Sequence, residues 1–250
     1  FSDMTRDMTQ GNITGHLVSY AVPLLFGNLF QQLYHTVDSV VVGQFDGKEA
    51  LAAVGAAGPI MNILTFLIVG LSMGASILMS NYFGARRWHM LKSELATSVI
   101  AGFLFTAVLS ILSFAGSSFF IRVTQTPEEI APMATTYLQI ISAGLIFTFF
   151  YNVYSSALRA IGDSRAPLYV LIITTFINVF LDIFLVGVLD MGVTGPAIAT
   201  VISQFISSVC LILYIRLRVP ILWLTPHEMK LRLVLLKKTV DFSSVSALQQ

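Results

Sequence analysis

Six long apolar runs dominate the sequence, at about 15–43, 50–81, 95–121, 131–157, 166–188 and 194–217. Each meets or exceeds the roughly 20 residues that a helix needs to cross the hydrocarbon core of a bilayer. In lipid, backbone amides must be satisfied within the segment or in a closed barrel. The ~10-residue alternation of a barrel strand is absent. The runs therefore predict an all-α membrane protein, a six-transmembrane-helix bundle over 15–217 preceded by a polar segment, 1–14. The first run is too long for the apolar region of a signal peptide and is expected to be a retained span.

Composition supports this. Hydrophobic residues make up 56 % of the chain, charged residues 11 %, and the mean hydropathy is +0.81. Soluble domains carry roughly 45–50 % apolar and about 25 % charged residues. A net charge of +1 leaves no basic face for nucleic acid, so none is expected as a partner. Cys210 is the only cysteine, which excludes an internal disulfide.

The basic residues set an orientation. With the N-terminus in the cytoplasm, the inner segments hold Arg6; Arg86, Arg87 and Lys92; Arg159 and Arg165; and Arg216, Arg218, Lys230, Arg232, Lys237 and Lys238. Only Lys48 and Arg122 fall outside. This bias predicts a multi-pass protein of the cell membrane with both ends of the bundle cytoplasmic.

Polar groups interrupt the runs at matching depths. Asp38 lies near the outer end of the first run, Asp182 near that of the fifth, and Thr200 just inside the start of the sixth. At 1.5 Å per residue all three fall roughly 8 to 9 Å from the outer boundary, with Tyr34 and Asn178 one turn deeper. Tyr34 and Asp38 are spaced i,i+4, as are Asn178 and Asp182, so each pair shows one face, and Gln31 continues the first stripe. Carboxylates at membrane depth are costly and mark functional sites. Two carboxylates, an amide, a phenol and a hydroxyl at one depth suit a hard cation such as Na⁺. They equally suit a proton, since two nearby carboxylates in a low dielectric do not ionise together. A structural alternative stays open: aspartates solvated at the outer interface, with Asn and Thr making interhelical hydrogen bonds. Asp190 reads as a loop charge.

Several segments then carry a family resemblance. They are Pro23, the stretch QQLYHTVDSVVVGQ from Gln31 to Gln44, LRAIGDSRAP from Leu158 to Pro167, and NVFLD followed by GPAIAT. Together they resemble the first half of the multidrug and toxic compound extrusion (MATE) family. The resemblance implies one lobe of a twelve-helix antiporter that exports amphipathic organic compounds against an inward flow of Na⁺ or H⁺. It implies a cation site at Asp38, Asn178, Asp182 and Thr200, with Tyr34 in its hydrogen-bond network. It further implies a bending role for Pro23, where a backbone bond is missing, and cavity-lining roles for Gln31 and Asn152. No enzyme activity and no cofactor beyond the coupling ion follow from it. The partners it implies are a small neutral or cationic organic substrate, the bilayer and a second lobe of the same chain.

Family members are about twice as long, so an amino-terminal lobe separated from its partner is expected. Segment 218–239 reads as a cytoplasmic amphipathic linker and 240–250 as the start of a seventh span. Within the linker, Thr225 to Glu228 reads as a capped helix start. Gly70 and Gly74 form a GxxxG suited to close helix packing, and Arg86 to His89 an anchor at the inner surface. The segment Gly43–Lys48 is one residue too short between its glycines for a phosphate-binding loop. An intramembrane aspartyl protease needs Gly-x-Gly-Asp, and the nearest match begins with Ala160. A lipid-linked oligosaccharide flippase, the remaining alternative, needs basic residues inside its cavity, and the six runs bury none.

Overall fold

The computed structural model describes residues 39–247 and, before them, 22, 25–27, 29, 30, 36 and 37. Pro23, Gln31, Tyr34 and Asp38 therefore lie outside the described residues. Five helices follow the first run: α1 (Gly47–Gly84), α2 (Trp88–Val123), α3 (Ala131–Ala160), α4 (Arg165–Asp182) and α5 (Thr194–Arg218). A sixth, α6, spans Leu233–Ala247. Among the described residues there is no strand. Helices α1 to α5, the fourth extended by the turn that follows it, are long and apolar enough to cross a membrane.

Polar and apolar faces are reversed relative to a soluble bundle. Along α2 the buried positions include Thr106, Ser110, Ser113 and Ser117, while Phe103, Leu104, Phe105, Val108, Ile111 and Leu112 are exposed. A stripe of small hydroxyl residues lets backbones approach, and its hydroxyls can bond across the seam. Both happen against α3: Ser110 Oγ donates to the Ser142 carbonyl at 2.7 Å, and the Ser113 and Ser142 hydroxyls are 2.7 Å apart. Gly102 faces the ring of Phe149, where any Cβ would overlap it. α3 is the hub, packed by α1, α2 and α5, whereas α4 rests mainly on α5.

α1 and α2 run to 38 and 36 residues, well past the apolar runs that predict them. At 1.5 Å per residue they reach about 54–57 Å against a core of ~30 Å. The polar start of α2 is docked by the segment after α5, through Lys92 and Thr97, at the basic end of the bundle that carries Arg86, Arg87, Arg159, Arg165, Arg216 and Arg218. Here Gly162, at φ +91°, closes α3 while the Asp163 amide reaches back to the Leu158 carbonyl at 3.0 Å. Asp163 Oδ1 then accepts from the Ala166 amide at 3.1 Å, opening α4.

The linker departs from expectation in one respect. Thr225 to Glu228 form a turn rather than a helix start, although the capping pair is made: Glu228 Oε2 accepts from both the amide and the hydroxyl of Thr225 at 2.9 Å. The other Glu228 oxygen is drawn to Lys92 of α2 at 2.9 Å, and the Arg232 amide reaches Thr97 Oγ1 at 3.3 Å. Held to α2 at both ends, residues 229–232 lie outside regular helix, which resumes at Leu233. α6 then runs unbroken through positions 239 and 240, where linker and seventh span were expected to divide.

Candidate functional site

α4 presents Thr174, Asn178 and Asp182 at steps of four residues, all buried, the latter two fully so. Its other side exposes Ile173, Phe176 and Phe180. A face that is polar inward and apolar outward requires partners, water or a ligand on the inside.

α5 supplies the opposite wall. The Ser207 hydroxyl lies 2.9 Å from Thr174 Oγ1, which fixes the register of the antiparallel pair. Four residues along each helix from that bond, Asn178 comes level with Ser203. One turn further, Asp182 comes level with Thr200, which is half-buried. The structure thus carries three of the expected cation-site residues on adjacent levels of one helix seam. Asp38 and Tyr34, which would complete the set, lie outside the described residues.

Hydrogen bonding around Asn178 is incomplete. Its Oδ1 and Nδ2 are buried with no partner, and so are Ser203 Oγ and Gln204 Oε1. Buried polar atoms are satisfied in over nine cases in ten, so an unpartnered amide level with the unpartnered Ser203 hydroxyl suits a ligand or ordered water. Ser203 and Gln204 were not singled out from sequence; their spacing of three and four residues from Thr200 was the available signal.

Immediately after Asp182 the helix widens into a π-helical stretch, Ile183–Val188. The Leu189 amide closes it on the Phe184 carbonyl, five residues back, at 3.1 Å, and the Met191 amide then reaches the Leu185 carbonyl across the turn at 3.1 Å. Wide turns of this kind recur at functional sites. The result separates Asp182 from regular helix on one side only.

Asn152 lies apart from this layer. It stands eight residues from the basic end of α3, about 12 Å, where Asn178 stands thirteen from the start of α4, about 20 Å. Its Nδ2 donates to the Thr148 carbonyl at 2.8 Å. Among the described residues no Lys or Arg is buried. No group of three or more His, Cys, Asp or Glu suited to a metal occurs among them either. At the far end of the bundle, Asp46 has its pKa raised by burial and then by the nearby Asp190 carboxylate, which is itself exposed as a loop charge.

The chain as a whole resembles known proteins. Residues 23–184 match the family model MatE. The chain is 31 % identical to the probable multidrug resistance protein YoeA of Bacillus subtilis over 86 % of its own length and 47 % of that protein. It is 30 % identical to the probable multidrug resistance protein NorM of Thermotoga maritima, over 78 % of this chain and 43 % of that one. A crystal structure of MATE in the bent conformation superposes with a TM-score of 0.89 at 25 % identity, over 95 % of this chain and 53 % of the other. The chain therefore spans about half the length of the relatives it matches.

Proposed function

This chain belongs to the MatE family, and from that premise we propose that it forms one lobe of an antiporter exporting amphipathic organic compounds against inward Na⁺ or H⁺. The family is one of transporters, not of enzymes, and the fold is that of a multi-pass membrane protein. What carries the proposal is the Asn178 level, a buried cluster of unpartnered oxygen and nitrogen atoms beside the fully buried Asp182. An ion at that level would bind the oxygens of Asp182, Asn178 and Thr200, with Asp38 and Tyr34 contributed by the first run. It drives export only by as much as its affinity differs between the outward and inward states. Pro23 is the proposed bending point of the first run, and Gln31 and Asn152 are proposed to line the substrate cavity.

The absence of buried Lys or Arg among the described residues favours neutral or cationic substrates and gives no support to a pyrophosphate-carrying lipid. Both ends of the lobe are proposed to face the cytoplasm of the cell membrane, where the basic residues gather. α6 is proposed to lead into a second six-helix lobe of the same chain.

The test is substrate efflux from liposomes containing the intact protein, with Na⁺ and pH gradients imposed separately. Gradient-driven efflux should be lost in both Asp38→Asn and Asp182→Asn. Undiminished efflux in either variant would leave that aspartate a structural role.

A further inference from the structure

A second acidic side chain is wholly buried, at the basic end and far from the Asn178 level. Glu94 of α2 is 0 % exposed and immediately precedes the apolar run that begins at about residue 95. Two hydroxyls converge on it. Thr239 Oγ1 of α6 lies 2.6 Å from Glu94 Oε1, and Ser98 Oγ, one turn along α2, lies 3.2 Å from the same oxygen. Oε2 is buried without a partner.

Counting protons favours one state of this group. Thr239 Oγ1 also lies 2.9 Å from the Leu235 carbonyl oxygen, which can only accept. A hydroxyl carries one proton. Were Glu94 a carboxylate, it too could only accept, so two acceptors would compete for that proton and Oε2 would remain a buried, unpaired charged oxygen. With Glu94 as the neutral acid, the count closes. The acid proton on Oε1 goes to Thr239 Oγ1, the Thr239 proton goes to Leu235, and Ser98 donates to Oε1. The remaining Oε2 is then a neutral carbonyl oxygen, far less costly to bury than a charge.

The charged and titratable groups around Glu94 compensate a charge only in part. Lys238 of α6 is exposed and acts on Glu94 electrostatically, without an ion pair. Lys92 of α2 is engaged with Glu228. Tyr82 of α1 feels both Glu94 and Arg87. Arg159 of α3 donates to Ser156 Oγ and acts on Tyr151.

We propose that Glu94, Ser98 and Thr239 form a proton-binding site, separate from the Asn178 level, whose proton holds α6 against α1 and α2. Ionisation removes a hydrogen bond at Thr239 and creates a charge that must reach water. Moving α6 is what brings that charge to water, and the same seam carries an apolar groove of about 430 Å³ lined by Phe66, Leu71, Ala101, Phe105, Leu236 and Val240. The proposal does not depend on the antiport reading.

The test uses the intact protein in lipid nanodiscs and two readouts. In infrared difference spectra, the carbonyl stretch of a protonated carboxylic acid should be present at neutral pH and lost in Glu94→Gln. In hydrogen exchange, corrected for the intrinsic rate, opening of α6 should rise by about tenfold per pH unit, the slope for one proton released. Glu94→Gln keeps the shape, and its amide NH2 at the Oε1 position donates to both Thr239 Oγ1 and Ser98 Oγ, so its profile should be flat. A flat wild-type profile, or a slope that survives in Glu94→Gln, would overturn the proposal. So would protection of α6 by Na⁺ at fixed pH with no acid band, which would make this a metal-cation site. Should Glu94→Gln fail to fold, Thr239→Val should raise opening at every pH and keep the slope; a flat profile there also overturns the proposal. Asp182→Asn should lose coupled export yet keep this slope, so the two readings fail separately.

Discussion

The Tyr214 hydroxyl donates to Asp163 Oδ2 at 2.8 Å, joining the loop between α3 and α4 to the basic end of α5. Because Oδ1 of the same carboxylate accepts from the Ala166 amide, one side chain both opens α4 and fastens it to its neighbour. Asp163 belongs to the LRAIGDSRAP segment that carries much of the family resemblance. Its most visible work is therefore to set the position of α4, and with it the level of Asn178 and Asp182.

Removing the two ends of this contact should have unequal effects. Tyr214→Phe deletes one hydrogen bond to an acidic group, worth about 1.5–3 kcal/mol at most and less where water reaches it. Asp163→Ala deletes that bond and the α4 cap together, adding roughly 1 kcal/mol. Thermal unfolding in detergent should rank wild type above Tyr214→Phe and both above Asp163→Ala. Equal midpoints for the two variants would mean that the cap carries nothing.

At Gly74 the backbone of α6 comes directly against α1. A Cβ built there would stand 2.8 Å from the Thr239 carbonyl oxygen and 2.7 Å from the Ser243 nitrogen, both rigid backbone atoms. Gly74→Ala should therefore push α6 away while leaving the hydroxyl seam between α2 and α3 intact. Limited proteolysis should cut between 229 and 247 faster in this variant, with the α1–α5 bundle still protected. Unchanged cleavage would show that the seam can absorb a methyl group.

How far the sequence discloses this molecule depends on the scale. Span positions were legible because burial in lipid demands long apolar runs, and the i,i+4 pair Asn178 and Asp182 was legible because helical periodicity puts both on one face. The overhangs of α1 and α2 were not, since polar residues at a helix end read as loop until something docks on them. Lys92 binding Glu228 and Thr97 receiving the Arg232 amide are contacts across more than 130 positions, invisible to local pattern. The failed helix start at Thr225 has the same origin: the capping residues are correct, and a distant lysine redirects the chain. Ser203 was hidden by its chemistry, because serine on a membrane helix ordinarily satisfies itself on its own backbone.

The Lys92–Glu228 contact makes a pH-dependent prediction for the linker. Hydrogen bonding from Lys92, reinforced by the Thr225 amide, holds the Glu228 carboxyl down at about 2 from an ordinary value of 4.5. A depressed folded value means that the contact contributes fully above pH 4.5 and is lost as pH falls toward 2. Both side chains are partly exposed, at 26 % and 35 %, so the effect is limited to a few-fold in local opening. Hydrogen exchange at 229–232, corrected for intrinsic rate, should rise on acidification across that window in wild type and stay level in Glu228→Gln. A wild-type segment equally protected at pH 2 and pH 6 would show that the ion pair does not hold it.

Asn178 offers the sharpest separation of function from stability. Both its amide atoms are buried without partners, and an unsatisfied buried polar group costs roughly 1–3 kcal/mol. Leucine has nearly the same shape and no such cost. If the amide is kept for an ion, Asn178→Leu should stabilise the protein while abolishing export. The expected rise in unfolding temperature is about 2–4 °C per kcal/mol for a chain of this size. Ion addition should narrow the gap, because a bound ion stabilises the wild type by mass action and has no full ligand set in the variant. Destabilisation by Asn178→Leu without ions would point instead to an interhelical bond to the first run, and the level would then be structural. Greater stability with export intact would remove Asn178 from the ion site and leave Asp182 to bind without it.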